Sequence, residues 1–321
     1  MTARRALVTG AAGFAGQHLA RALLREGWHV TGAALSADAA TPQLSAAERA
    51  AIRWISADVR RMDDVERILD AARPDAIFHL AGITFVPSAN ADPGQTIDTN
   101  VAGCARLLAG VKARRAAGTL DPVVLVTGSS EQYGRHDLPD FPLSESAEQR
   151  PLTVYAASKL AQEVVALEAF RSAGVRVVAT RSFNHSGAGQ APQFVIPALV
   201  GRAMALKRGG AGRLPLGNTH TVRDFLHVAD VVSAYILLIA RGVPGQVYNV
   251  CSGRGTSVRE IAERVLSKLG LEAALEPDPA FVRPVEVPTL IGDNAKVRAA
   301  TGWAPGLTMD HILDDVIHAA T

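Results

Sequence analysis

At 321 residues, 48% of them hydrophobic, the chain is long enough to bury a sizeable core in one large domain or two smaller ones. Its 33 Lys and Arg against 31 Asp and Glu leave a formal charge of +2, which gives no general attraction for nucleic acid or an anionic membrane, so neither is expected as a partner. Cys104 and Cys251 stand far apart without Cys-x-x-Cys or Cys/His ligand spacing, which argues against a disulfide framework and a zinc site.

The chain enters its first strand, "RALVTG", without a cationic and apolar leader, and no apolar stretch approaches the roughly 20 residues of a membrane span. A cytoplasmic protein is expected. Gly10, Gly13 and Gly16 follow that strand, and Phe14, His18, Leu19, Ala22 and Leu23 then recur at helical spacing. Glycine permits a tight turn, lets a ligand approach without meeting a Cβ, and opens a helix N-terminus whose free N–H groups attract phosphate. The stretch therefore reads as the strand, turn and helix of a dinucleotide cradle.

Further strands, "WHVTGAAL", "IRWISADV", "DAIFHLAG", "PVVLVTGSS" and "VRVVATRSFN", alternate with helical stretches near 62–72, 92–117 and 154–173. This alternation predicts an α/β fold, a Rossmann-type doubly wound parallel sheet. At the end of the second strand, where an acid would bind a ribose 2′-hydroxyl, stand Ala34 and Leu35. NADP(H) or NAD(H) is the expected cofactor, with a mild NADP(H) preference that Asp38 would reverse if it filled the acidic role.

Beyond about residue 185 the alternation fails, and Gly/Pro-rich segments separate helices near 194–207, 228–240, 257–269 and 308–319. "GQVYNVCSG" reads as a buried strand that returns to the sheet. The expected division is a dinucleotide-binding domain, 1–184 with a return segment 226–252, and a smaller C-terminal substrate lobe, 185–225 and 253–321.

Three groups suggest chemistry. Tyr155 and Lys159 lie four residues apart, on one face of a predicted helix. A neighbouring ammonium lowers a tyrosine's pKa and would make it a usable acid-base group. "LVTGSSEQYG" ends a strand with Ser129, placed to hydrogen-bond a substrate oxygen; a serine-rich turn satisfying its own backbone is the alternative.

Together with "TGAAGFAG", "SADV", "FHLAG" and "TNVAG", these residues resemble the extended short-chain dehydrogenase/reductases, in their nucleotide-sugar branch, over essentially the whole chain. The resemblance implies that Tyr155 gives or takes a proton at a sugar oxygen, that Ser129 holds that oxygen, and that Lys159 binds the nicotinamide ribose. It implies a cofactor site of Gly10, Gly13, Phe14, Ala15 and Gly16 at the pyrophosphate and Asp58 and Val59 at the adenine. Leu80, Ala81, Gly82, Asn100 and Phe183 complete that site with Tyr155 and Lys159. Asp58 could instead cap a turn, and His79 reads as a packed strand histidine.

Within the branch, "RSFNHSGAGQAPQFVIP", "RDFLHVADVVSAY", "YNVCSG" and "RPVEVPTLIGDNAKVRAATGW" are most similar to the GDP-4-keto-6-deoxy-D-mannose reductases, close to the GDP-mannose 4,6-dehydratases. "GAGQ" resembles the reductases' "GPGQ", with Ala188 in place of proline. The expected partner is a GDP-sugar, met by Ser130, Asn184 and Glu286, with Arg223 and Arg283 at its diphosphate; surface salt bridges are the plain alternative for either arginine. The expected reaction reduces the C4 ketone to give GDP-D-rhamnose. Glu131 stands where dehydratases carry a catalytic glutamate, which keeps 4,6-dehydration open, and C4 epimerisation or a non-catalytic nucleotide sensor are further alternatives. The family's helices at 92–117 and 154–173 imply a homodimer, and Leu107, Leu108, Val111, Val164, Val165 and Leu167 supply apolar residues on more than one face of them.

Overall fold

The computed structural model describes residues 4–209, 212–281 and 286–321. Strand β1 (Arg5–Thr9) leads through the glycine turn into α1 (Phe14–Arg25), followed by β2 (His29–Ala34), a short α2 (Ala46–Ala50), β3 (Arg53–Ser56), α3 (Met62–Ala72) and β4 (Ala76–His79). Then come α4 (Val86–Ala91), α5 (Pro93–Ile97), α6 (Gly103–Ala116), β5 (Val123–Ser129), α7 (Val154–Ala173), β6 (Arg176–Ser182) and β7 (Asn184–Ser186). The C-terminal part holds α8 (Val195–Lys207), β8 (Arg213–Leu216), β9 (Val222–His227), α9 (Val228–Arg241), β10 (Val247–Val250), β11 (Gly255–Ser257) and α10 (Val258–Leu269). It closes with β12 (Ala274–Pro277), β13 (Thr289–Leu290), α11 (Ala295–Thr301) and α12 (Met309–Ala320).

Seven strands form one parallel sheet in the order β10-β6-β5-β4-β1-β2-β3. The order reverses between β1 and β4, and in such sheets ligands bind in the crevice beyond the strand C-termini at that point. One face is covered by α1 and α9, whose Leu19, Leu23, Val231 and Leu238 are buried against β1, β4 and β5. The other carries α3, α6 and α7 through Val65, Leu69, Leu107, Val111 and Ala166. Each fully buried aliphatic side chain of this kind contributes about 1.5–3 kcal/mol, which is why strands covered on both faces read as unbroken apolar runs.

The predicted helix over 92–117 is interrupted. Pro93 starts α5, a π-helical turn spans Asp98–Ala102, and α6 begins at Gly103. The wide turn re-aims Asn100 inward, where it is fully buried. A separate core formed by α8, α10 and α12 with β8 and β9 lies in the C-terminal part. The small sheet β11-β9-β13, with β7 paired to β9, is a finding that periodicity did not anticipate, because its strands are only two to six residues long. The expected boundary at residue 225 falls inside β9. Among the described residues, no helix is long and apolar enough to cross a membrane.

Candidate active site

A cavity of about 600 Å³ opens at the C-terminal ends of the sheet strands. Gly10, at φ +72°, turns the chain out of β1, and a Cβ there would stand 2.8 Å from the Ala81 nitrogen. A Cβ on Gly16 would collide with the Gly10 carbonyl, so α1 can approach the turn only with glycine at that position. Gly13 is the N-cap of α1 and offers no side-chain cap, while Phe14, Ala15 and Gly16 of the first turn line the cavity. The orphan N–H groups and the positive end of the helix dipole thus meet the space, as a bound pyrophosphate requires. Leu80, Ala81 and Gly82, beside the Gly10 turn, line the same cavity, as does Phe183. This donor-rich, glycine-turned cradle fits a dinucleotide.

At the other end Ser129, Ser130, Glu131, Tyr155, Lys159 and Asn184 line the same cavity. Helix α7 begins at Thr153, whose hydroxyl accepts a hydrogen bond from the Ala156 N–H, so Tyr155 stands in the first turn and Lys159 one turn later. Their electrostatic relation differs from the expected one. Lys159 Nζ donates to the Thr127 carbonyl at 2.8 Å and to Gln162 Oε1 at 3.0 Å. Burial pushes the Tyr155 phenol up to about 12, against the opposing hydrogen bond with Ser129. Burial likewise pulls Lys159 down to about 8. Desolvation outweighs the expected ammonium effect, so the Tyr155 phenol keeps its proton.

His79 is a packed strand histidine. Its Nδ1 lies 2.8 Å from the Thr9 hydroxyl, which also accepts from the Ala81 N–H, and burial drives its pKa down to about 3. It therefore helps hold the cradle wall as a neutral ring.

Below the serines lies a buried network that the sequence did not reveal. Arg181 on β6 grips Glu163 on α7 with two parallel bonds, Nε to Oε2 at 2.9 Å and Nη2 to Oε1 at 2.7 Å. Both side chains are about 5% exposed or less. Gln132 donates to Glu163 Oε2 at 2.8 Å, and its own Oε1 accepts the Ser129 N–H at 2.7 Å. Arg181 also donates to the Tyr133 hydroxyl and the Glu145 carbonyl. Ser129 is thus fixed through a chain anchored in an ion pair. The available signal was Arg181, a charge at the inner end of the strand run "VRVVATRSFN".

Other expected site residues stand elsewhere. Asp58 and Val59 are outside the cavity lining. The Asp58 carboxylate is held by Arg60 Nε and Nη2, the bonding that keeps its pKa below the usual carboxylate range, while Val59 packs beside Gly103. Asn100 does not line the cavity either: Oδ1 accepts the Ile83 N–H, and Nδ2 donates to the Ile83 carbonyl and the Ser158 hydroxyl. Its amide clamps the loop after β4. Arg223 donates to the Val222 carbonyl at 2.9 Å, and Glu286 accepts from Asn218 at 2.8 Å, both away from the lining. Arg283 lies outside the described residues. The structure adds Ser36, Thr84, His185, Gln190 and Tyr235 to the lining, together with Phe85 and Phe194, whose rings meet edge to face at 5.8 Å.

Residues 7–316 match the family model described as GDP-mannose 4,6 dehydratase. The chain belongs to that family. It is 38% identical over 245 residues to the GDP-6-deoxy-D-mannose reductase of Pseudomonas aeruginosa, covering 76% of this chain and 79% of the relative. It is 31% identical over 320 residues to a UDP-glucose 4-epimerase of Azospirillum brasilense, covering 94% and 87%. Among solved structures, RMD from Pseudomonas aeruginosa complexed with NADPH superposes with a TM-score of 0.83 at 34% identity, over 98% of each chain. The UDP-glucose 4-epimerase of Thermus thermophilus in complex with NAD gives 0.86 at 26% identity, over 98% of this chain and 99% of that one. The family consists of NAD(P)-dependent oxidoreductases, and a nicotinamide dinucleotide is the cofactor that the cradle takes.

Replacing Arg181 by Met leaves Glu163 buried without its partner. Chemical denaturation should show a loss of about 3–5 kcal/mol. Adding Glu163→Gln to that variant should recover a measurable part of it, whereas simple addition of two losses would contradict a coupled pair.

Proposed function

We propose that the protein reduces the C4 ketone of GDP-4-keto-6-deoxy-D-mannose to GDP-D-rhamnose. One observation carries this reading. A protonated Tyr155 and Ser129 line the same cavity as a dinucleotide cradle, in a chain 38% identical to a GDP-6-deoxy-D-mannose reductase.

A reduced nicotinamide dinucleotide, when bound, supplies the hydride for C4. The chain's own residues manage the oxygen. Ser129 Oγ accepts the Glu131 N–H at 3.2 Å and shares a hydrogen bond with Tyr155, so serine and phenol together face the ketone oxygen. Tyr155 gives its proton to the same oxygen as negative charge develops there, so a phenol held in its acid form suits reduction. Lys159 spends two of its three N–H donors on Thr127 and Gln162 and keeps one for a ribose hydroxyl.

Gly10, Gly13, Phe14, Ala15, Gly16, Leu80, Ala81, Gly82 and Phe183 would hold the dinucleotide. No acid follows β2 within the lining, where Leu35 and Ser36 stand, and this supports acceptance of NADPH with a mild preference. Ser130, Asn184 and Glu286 are assigned to the sugar nucleotide, with Arg223 and Arg283 at its diphosphate.

Glu131 favours a second reading, 4,6-dehydration, because it lines the cavity two residues after Ser129. The two reactions differ in cofactor use. Supplied with the 4-keto-6-deoxy sugar nucleotide, the protein should oxidise one NAD(P)H per product and leave GDP-mannose untouched. Tyr155→Phe should cost about 10²–10⁴-fold in turnover and Glu131→Gln far less. Turnover of GDP-mannose without added NAD(P)H, lost in Glu131→Gln, would establish dehydration instead.

The pH dependence follows from Lys159. With the ammonium lost as pH rises through about 8, kcat/KM should fall on the alkaline side with an apparent pKa near that value. A profile flat to pH 10 would remove the charge of Lys159 from the mechanism.

A homodimer through α7 also fits, on a narrower base than the sequence suggested. Leu107, Leu108 and Val111 are buried inside the protomer and offer no surface, while Val165 is partly buried against the same core. Val164 is 54% exposed and Ile97 43%, on helices that pack together. Light scattering should give a dimer mass that Val164→Asp reduces, and a monomeric wild type would refute the assignment. Reduced, buried Cys104 and Cys251 support a cytoplasmic location.

A further inference from the structure

The four residues Gly187–Gln190 form a tight turn, closed by the Gln190 N–H donating to the Gly187 carbonyl at 3.3 Å. Gly189 has φ +84°, while Ala188 keeps a negative φ. That combination defines a type II turn, whose second position favours proline because the ring presets the required φ. Here the position is Ala188, and its backbone N–H exists and is used. It donates to Asp315 Oδ2 on α12 at 2.7 Å.

The turn is held from its other side as well. The Ala188 carbonyl accepts from His18 Nε2 on α1 at 2.9 Å. His227 Nδ1 accepts the Ala229 N–H, so its Nε2 carries the proton and donates to the same Asp315 oxygen at 3.2 Å. A Cβ on Gly187 would sit 3.1 Å from that oxygen, so the carboxylate reaches the turn only over a glycine.

The turn's own ends belong to the cavity wall. His185 and Gln190 line it, tied together by Gln190 Nε2 donating to the His185 carbonyl at 2.9 Å, and Asn184 precedes them. We propose that Asp315 is a positioning residue: it tethers this turn through the N–H that proline would lack, and so sets Asn184, His185 and Gln190 at the substrate wall. The C-terminal helix thereby does by hydrogen bond what a ring would do covalently.

The kinetic side of this inference rests on the reductase reading; the exchange side does not, so the two can fail separately. Amide hydrogen exchange over residues 184–190 and steady-state kinetics with NADPH and the 4-keto-6-deoxy sugar nucleotide are measured on four proteins: wild type, Asp315→Ala, Asp315→Asn and Asp315→Ala/Ala188→Pro. Asp315→Ala should speed exchange in the turn and raise the sugar-nucleotide KM about tenfold with kcat within about twofold, the scale of one lost charge-assisted hydrogen bond. Asp315→Asn keeps an acceptor and should stay within about threefold of wild-type KM. The double variant should return both exchange and KM toward wild type, since the ring replaces the tether and no carboxylate remains to obstruct it. Unchanged exchange in Asp315→Ala, or a double variant no better than Asp315→Ala, would overturn the proposal; the latter is what a merely structural role in α12 predicts.

Discussion

A guanidinium taken out of water must be paired and fully hydrogen-bonded, and the Arg181–Glu163 pair meets that condition at the centre of this molecule. The constraint fixes more than itself. Arg181 rides on the strand that leads to Phe183 and Asn184, and Glu163 rides on the helix that carries Tyr155 and Lys159. Gln132 connects the pair to the Ser129 backbone, and Tyr133 connects it to Asn249 on β10. Serine, tyrosine and lysine therefore share one frame, and a shift in any of the three elements would have to break bonds that water cannot replace.

That frame explains why the tyrosine behaves as it does. The Lys159 ammonium is bound to Thr127 and Gln162 and is not among the groups that shift Tyr155. What remains is burial, which keeps the proton on Tyr155. For a reaction that ends by protonating an alkoxide, the retained proton is the useful state.

The sheet was legible because its signals are local and repeated. Apolar runs of strand length, helices at 3.6-residue spacing and the glycines at 10, 13 and 16 each restrict the backbone independently. Tyr155, Lys159 and Ser129 were legible because a helical interval and a strand end place them. The Arg181–Glu163–Gln132 network was not, since its members are 18 and 31 residues apart and meet only through the fold. The partner of Asp58 was equally hidden: sequence shows the acid but not that Arg60, two residues on, holds its carboxylate. The helix over 92–117 hid a π turn because one extra residue barely disturbs a hydrophobic pattern. Leu107 and Val111 looked like spare surface because apolar residues on several faces fit a deeply buried helix as well as a dimer.

The central claim is that hydride reaches C4 of the sugar while this chain supplies the proton to its oxygen. Turnover with NADPH carrying deuterium at the transferable position of C4 of its nicotinamide, followed by magnetic resonance of the sugar product, tests it directly. The account predicts one deuterium at the sugar C4 for each NADPH oxidised, with none at C5 or C6. A product without deuterium at C4, or label found at C6, would contradict it.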